Sequence, residues 1–440
     1  MSQLNAADWT RFRGPNGTGV STDAAPLPAE FGPETLKWRT ELPGSGVSCP
    51  IVVGDKVFVT CYSGYGLDRR DPGNINDLKR HLVCIERSSG KILWTKTYAS
   101  EAGNEDPFSG PGVPEHGYAS HTPTSDGQNV YVFFGKGGVY AFDLDGNEKW
   151  HTTVGTESDD RRWGSSSSPI LSGDVLVITA GAESRAMVGL DRNTGKELWR
   201  AEADSFGNVW GTPAIAKRED GEEDIVIGAP YEIWGVNPAT GKLRWYCEAM
   251  ESDQFNSSVV IDDAHIYAIE GRGGGSIAIR TGGKGDVSRS HVTWTGRDSA
   301  RFGSPLIYEG RLYSVANGIL SCLNAENGER IFQGRLPASS ANADGNRGPE
   351  GGPGGGRGGF GGGGRGGFGG SDYASLILGD GKLYFTTRGG DIHVFAATSE
   401  FKHLGTSRVT PDREDFSATP AISEGQIFIR SNKALYCVGQ

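Results

Sequence analysis

The 440 residues contain no two adjacent cysteines, no C-x-x-C or other metal-ligand spacing, and no apolar run long enough to cross a bilayer. The chain therefore lacks the sequence marks of a structural zinc site and of a membrane span. Methionine is scarce, at 3 residues, as a turn-rich all-β chain allows. Basic charge is outweighed, 43 Lys and Arg against 54 Asp and Glu, and the net charge of −11 argues against a general nucleic-acid or anionic-membrane role. The opening residues MSQLNAADWTRF have no apolar core segment and do not form a signal peptide, so the chain is either cytoplasmic or a mature form given a new Met. No Ser-His-Asp order can be assigned. The Gly-rich run Gly271 to Gly275 lacks the Lys-Ser or Lys-Thr and the helix of a phosphate loop.

Six cysteines are present, and they read as packing residues. Cys84, Cys322 and Cys437 share a column with Ala141, Gly189 and Gly235, so the common requirement is a small buried side chain. Equivalent columns of separate repeats lie beyond the roughly 7 Å Cα limit of a disulfide. A turn at Gly54 and Asp55 sets Cys49 opposite Thr60 and Cys61 opposite Ser48, which keeps that pair apart as well.

What is abundant is repetition. The stretch GLDRNTGKELW, ending at Trp199, recurs as CIERSSGKILW ending at Trp94, AFDLDGNEKW at Trp150, GVNPATGKLRW at Trp245 and CLNAENGERIF at Phe332. A looser copy ends at Trp294, and Trp38 stands where another would finish. Each copy is a short apolar strand, a turn-starting Asp, Glu or Asn, a Gly that allows positive φ, and a strand delivering a large ring. A second motif precedes it, a small hydroxyl residue and usually Pro, then an apolar run, a turn and an alternating strand, as in SSPILSGDVLVIT. The column Pro50, Pro123, Pro169, Pro213, Val259, Pro305, Leu376 and Pro420 has spacings of 73, 46, 44, 46, 46, 71 and 44.

One such unit cannot bury its faces alone, and four strands per unit at this period predict an all-β, eight-bladed β-propeller of four-stranded antiparallel blades. The eighth unit stops at Gln440 without its last strand, whereas Trp38 is a last strand without a unit. Joining them predicts closure of the C-terminal blade by the N-terminal strand, which removes two exposed edges. The whole chain, 1–440, is then one domain. Residues 8–36 are expected as an N-terminal rim segment docked by Trp9 and Phe12, with a turn at Pro15 to Gly17. Residues 345–370, Gly- and Arg-rich, are expected as a disordered insertion between blades 6 and 7. Their RGG repeats admit an RNA-binding reading beside that of a plain flexible insertion.

Ligands of propellers sit at the end built from loops leading into the innermost strands and loops joining second to third strands. The candidate site residues there are His116, Tyr118, Arg162, Trp163, Glu183, Arg185, Trp210, Glu232, Asn256, Arg272, Arg301 and Arg388. Rings beside Arg, Asn and acidic groups suit a carbohydrate-type ligand or a peptide laid across the mouth. Equally, Tyr118, Trp163, Trp210 and Phe302 can simply plug the channel. His116 with Glu115 offers an acid–base pair, against the plainer reading of a solvated loop histidine. No catalytic residue and no metal ligand is assigned.

The motif A-x-D-x-x-T-G-K-x-x-W, matched at Gly189 to Trp199 and Gly235 to Trp245 with Gly first, resembles the repeat of quinoprotein-type propellers. From Trp9 to Val438 the chain resembles the PQQ-like repeat proteins, which include quinoprotein alcohol dehydrogenases and the assembly lipoprotein BamB. WTRFRGPNGTGVS and the Gly-Arg insert resemble exported planctomycete-type members. The resemblance implies a periplasmic or otherwise extracytoplasmic protein whose signal peptide has been removed. It also implies a choice. Quinoprotein alcohol dehydrogenases stack the quinone on a disulfide of adjacent cysteines, and haem-bearing members carry C-x-x-C-H; this chain has neither. The expectation is therefore a non-catalytic, BamB-like scaffold or ligand-binding protein without a cofactor, a monomer, meeting protein partners or a carbohydrate-type ligand at one face. The alternative is a sugar or alcohol oxidoreductase with PQQ and Ca²⁺ at the channel mouth.

Overall fold

A computed structural model of the chain describes residues 8–68, 71–101, 105–106, 116–271, 274–338 and 372–439. These residues form eight antiparallel sheets built in chain order, each with its first strand innermost. Blade 1 runs Ile51–Val53, Lys56–Ser63, Lys79–Glu86 and Ile92–Ala99, and blade 3 runs Ile170–Ser172, Val175–Ala180, Ala186–Asp191 and Glu197–Glu202. Blade 8 takes Ala421–Ser423, Gln426–Arg430 and Ala434–Gly439 from the C-terminal end and Trp38–Glu41 from the N-terminal end. Trp38 lies opposite Cys437 and Glu41 opposite Ala434, so the ring closes as the repeat predicts. Blade 4 departs from the four-stranded pattern. Gly285–Asp286, from the long turn of blade 5, pairs in parallel with Leu243–Glu248 as a fifth strand. The expected 345–370 insertion lies outside the described residues.

The recurring Trp has a physical purpose between blades. The Trp294 indole of blade 5 lies against Gly328, in the third-to-fourth-strand turn of blade 6, and its Nε1–H donates to Ala325 O at 2.8 Å. The same clasp joins Trp38 to Arg87 O, Trp94 to Leu144 O, Trp150 to Arg192 O and Trp199 to Pro238 O, each in the next blade. The turn must be Gly because φ is positive there and a Cβ would enter the ring. Trp245 is the exception. The blade 5 turn is lengthened, and the Trp245 indole donates instead to Asp224 of its own blade, at 2.8 Å. Inside each blade the ring crosses the small-residue column: Cys84 faces Trp94, Cys322 faces Phe332 and Cys437 faces Trp38. All six cysteines are buried free thiols.

A second device runs around the axis. The hydroxyl residue before the Pro column accepts from the backbone N–H of its counterpart in the preceding blade. Cys49 N–H donates to Thr122, Thr122 to Ser168, Ser168 to Thr212, Thr212 to Ser258, Ser258 to Ser304, Ser304 to Ser375 and Ser375 to Thr419, all at 2.9–3.0 Å. Thr419 N–H then donates to Cys49 Sγ at 3.2 Å and closes the girdle. These N–H groups are buried where no sheet partner reaches them, so the hydroxyl satisfies a donor that would otherwise cost about 1–3 kcal/mol.

The N-terminal segment sits deeper than a rim. Trp9 pairs with Val52, Thr10 O accepts from Ser125 N–H, Asn16 brackets Ile215, and Gly19 to Ser21 pair with Leu378. It thus covers free edges of innermost strands in blades 1, 2, 4 and 7. Arg11 and Arg13 reach from it to Pro213 O at 2.7 Å and Pro305 O at 2.6 Å, on the Pro column beside the girdle. Trp9 is buried and Phe12 half-buried, with a 3₁₀ turn at Pro15–Gly17.

Candidate functional site at the loop-rich end

The segment just described approaches the end carrying the first-to-second-strand turns, where Asp8 and Asp23 bind the turns at Gly54 and Gly425. The candidate residues among those described belong to the opposite end. There they fall into three neighbourhoods.

The first surrounds a cavity of about 50 Å³ over blades 1 to 3, lined among others by Arg80, His116, Tyr118, Lys136 and Glu183. A one-turn helix, Gly181–Ser184, ends at Arg185 in the left-handed region and turns Glu183 inward, where it is 3% exposed. Ser165 Oγ donates to Glu183 Oε1 at 2.6 Å, so the same hydroxyl accepts from His121 Nε2 at 3.0 Å. Glu183 Oε2 has no hydrogen-bond partner. Burial pushes the Glu183 carboxyl up to about 7 and the His121 imidazole down to about 3. Around them charges are paired: Arg80 is bidentate to Glu105 at 2.5 and 2.9 Å, and Lys136 reaches Asp106 at 2.8 Å. The Arg80 guanidinium lies 5.8 Å from the Tyr118 ring centre. His116 Nε2–H donates to Trp163 O at 2.7 Å, which ties the nitrogen that an acid–base role would use; Glu115 lies outside the described residues.

The second is aromatic. Trp163 and Trp210 meet with ring centres 5.4 Å apart, and Trp210 Nε1–H donates to Gly164 O at 2.8 Å. Arg161 lies over Trp163 and reaches across the mouth to Gln254 and to Asp253 at 2.9 Å. Arg162, at positive φ, is exposed. Arg185 pairs with Asp160 at 2.9 Å, Glu232 accepts from Trp234 Nε1, and Asn256 is held by Glu270. Arg185, Glu232 and Asn256 therefore bind groups of their own rim and converge on no common point.

The third lies across blades 5 to 7. Phe302 and Tyr373 stack at 4.5 Å, Arg301 lies over Phe302, and Arg388 lies over Tyr373 while donating to Asp415 at 2.6 Å. Arg301, Phe302, Asn317 and Asp372 line a cavity of about 220 Å³, and burial raises the Asp372 carboxyl. Arg272 lies outside the described residues. Sequence reading missed Arg80, His121 and Ser165, which carry the first neighbourhood. Arg80 and His121 offered no motif, and Ser165 hides among four consecutive serines.

The family profile described as outer membrane protein assembly factor BamB matches residues 38–219 and 182–334, more than half of the chain. The chain belongs to this family. The PQQ-like propeller it forms is similar to solved structures over nearly its whole length. BamB from Moraxella catarrhalis is 12% identical, with 92% of this chain and 99% of that one covered and a TM-score of 0.58. A europium-containing methanol dehydrogenase is 10% identical, with 99% and 98% covered and a TM-score of 0.68. The quinohemoprotein alcohol dehydrogenase from Comamonas testosteroni is 11% identical, with 100% and 81% covered and a TM-score of 0.62. At such identities the likeness shows the fold. No curated protein sequence matches the chain. Among the described residues no helix is long and apolar enough to cross a membrane.

Proposed function

We propose that this PQQ-like propeller is a non-catalytic, extracytoplasmic scaffold that engages a protein partner through its loop-rich end. The observation that carries the reading is the asymmetry of the two ends. One approach to the channel is taken by the chain's own N-terminal segment, while the other presents the Trp163–Trp210 and Phe302–Tyr373 pairs flanked by exposed Arg162 and Arg301. Aromatic and Arg side chains in this arrangement are the residue types that dominate binding energy at protein interfaces. A closed ring with one end left to its loops suits such a role.

A quinone does not fit either of the two cavities described at the loop-rich end. It is a rigid tricyclic tricarboxylate that needs a flat platform and a pocket of ligand size, about 300–1,000 Å³. The two cavities, about 50 and about 220 Å³, are smaller, and the cysteines are dispersed and buried within blades. Among the described residues no group of three or more His, Cys, Asp or Glu could share a metal ion. A second reading, an enzyme acting on a sugar or alcohol without that quinone, is favoured by one feature, the Glu183 carboxyl poised near neutrality beside a cavity.

Photo-crosslinking residues at positions 162 and 301, with position 219 on the opposite end as control, test the scaffold. The expected result is the same protein adduct from 162 and 301, none from 219, and loss of the adduct in a Trp163→Ala, Trp210→Ala variant. Equal adducts from 219, or turnover of sugars or alcohols that Glu183→Gln abolishes, would overturn it.

A further inference from the structure

Three arginines are buried, Arg13 and Arg430 completely and Arg11 with 7% exposed, and none pairs with a carboxylate among the described residues. Arg430 is largely met by neutral acceptors, its two terminal nitrogens donating to Ser48 O and Ser48 Oγ and to Thr60 O and its Nε–H alone lacking a partner among the described residues. Arg11 and Arg13 are not. Arg11 donates one bond, to Pro213 O, and its Nε–H has no partner. Arg13 donates to Pro305 O and, at 3.4 Å, to Thr18 O, both through Nη2, while its Nε–H and Nη1–H groups have no partner. The segment is shaped around these guanidinia. Arg13 and Gly14 both adopt positive φ, and Gly19, also at positive φ, passes so close that a Cβ there would stand 2.9 Å from Arg13 Nη2.

Two buried cations close enough to act on each other are strongly unfavourable without a counter-charge. Burial presses the Arg11 guanidinium down to about 10 and that of Arg13 to about 9, with the Arg11 charge adding to the pressure on Arg13. A guanidinium does not release its proton at neutral pH, so the pressure expresses a demand for negative charge nearby. The Cys49 thiol, the titratable group facing Arg13, cannot meet it, because burial raises its pKa. The unsatisfied groups are all donors, so the missing partner is an acceptor, and water, which must also donate, answers only part of the need.

We propose that a small monovalent anion of the chloride class is bound in the channel between Arg11 and Arg13, on the N-terminal-segment side of the Ser/Thr/Cys girdle. The anion accepts the unpartnered guanidinium N–H groups and cross-links the N-terminal segment to blades 4 and 6, whose Pro213 and Pro305 carbonyls take the remaining bonds. It is a structural ion, separate from the loop-rich end, and independent of whether that end binds protein or sugar.

Two measurements on the full chain test the site. Crystals grown in sodium bromide are expected to give one anomalous peak within hydrogen-bond distance of both guanidinia. Urea midpoints at matched ionic strength are expected to be higher in chloride or bromide than in gluconate, which is too bulky for the site, and the halide-specific increment is expected to vanish in Arg13→Met. Should Arg13→Met fail to fold, Arg11→Met serves the same comparison, and the wild-type anomalous map stands alone. Water-like density with no anomalous signal, or a peak without halide-specific stabilisation, overturns the proposal.

Discussion

The Trp–Gly clasp between blades can be weighed by a double-mutant cycle at Trp294 and Gly328. Trp294 is buried and donates to Ala325 O, so Trp294→Ala removes a large ring and a hydrogen bond, at a cost of about 4 kcal/mol. Gly328→Ala has two costs. At φ +74 an L-residue carries a penalty of about 1–2 kcal/mol, and its Cβ would stand 2.6 Å from the Trp294 ring, against a van der Waals contact near 3.5 Å. Relieving that overlap displaces the indole by about 1 Å and sacrifices a large part of its packing, about 2 kcal/mol more. In the double variant the ring is absent and only the backbone penalty adds, so the two changes together are expected to cost about 2 kcal/mol less than their sum. Gly310 supplies the control within the same blade. It has φ +71 and nothing within 4 Å of its Cβ position, so Gly310→Ala should show the backbone penalty alone. Urea midpoints read by far-UV circular dichroism and tryptophan fluorescence give all four values. Equal costs for Gly328→Ala and Gly310→Ala, or strict additivity in the cycle, would refute the clasp as an energetic contact.

Three further outcomes follow from the geometry. Cys49→Ser keeps an acceptor for Thr419 N–H and should leave the urea midpoint nearly unchanged, whereas Cys49→Ala orphans that donor and should cost about 1–3 kcal/mol. Glu183 and His121 should oppose each other in pH. The raised carboxyl gives stability that is full below about pH 4.5 and lost as pH rises to about 7; the depressed imidazole gives stability that is full above about pH 6.5 and lost as pH falls towards 3. Between pH 4.5 and 6.5 their slopes cancel, so Glu183→Gln should steepen the rise of stability with pH by about 1.4 kcal/mol per unit relative to wild type, and an unchanged slope in denaturation series would contradict the assignment. Arg80→Met leaves Glu105 buried without its bidentate partner and should lower stability by about 3–5 kcal/mol, measured by the same denaturation, with Arg80→Lys losing less.

The blade count and the closure were legible because each complete copy of the repeat carries both halves of its contacts within a few residues: a Gly turn and, four positions on, a ring. The hydroxyl before the Pro column was legible as a pattern. Its purpose was not, since each hydroxyl serves an N–H 44 to 73 residues earlier, across a blade boundary that sequence does not display. The N-terminal segment was harder. Trp9 and Phe12 suggested a docked rim, yet the side chains that hold the segment in the channel are Arg11 and Arg13, whose acceptors lie 202 and 292 residues away. Arg is ordinarily a surface residue, so burial without a carboxylate has no local signature. Trp245 misled in the opposite sense, for its local motif matches the others while its partner turn is lengthened by blade 5. At the loop-rich end the candidate residue types were readable, but pairings such as Trp163 with Trp210 depend on loops from neighbouring blades meeting, which no single repeat encodes.

Both inter-blade devices run in one sense around the ring. Blades 1, 2, 3, 5 and 8 each offer a Trp forward to the next turn, and in every blade the girdle N–H reaches forward to its counterpart in the next, so every junction is specified by local contacts and the stability of the array builds up junction by junction. Such an array has no intrinsic end, and a closed ring differs from an open solenoid at one junction alone. Here that junction lies between blades 8 and 1. Residues 38 to 49 supply the Trp38 strand that completes blade 8, the Trp38 indole that clasps Arg87 O and the Cys49 sulfur that accepts from Thr419, while Arg87 donates to Ser423 O and Gln426 and Arg430 to Ser48 and Thr60 across the same boundary. The segment immediately before them, carrying Arg11 and Arg13, binds blades 4 and 6 and so anchors the closing strand to the far side of the ring. Closure and channel filling are therefore one structural act of the N-terminal region. Most loops of the opposite end take no part in it, which leaves them free to differ in sequence without opening the ring.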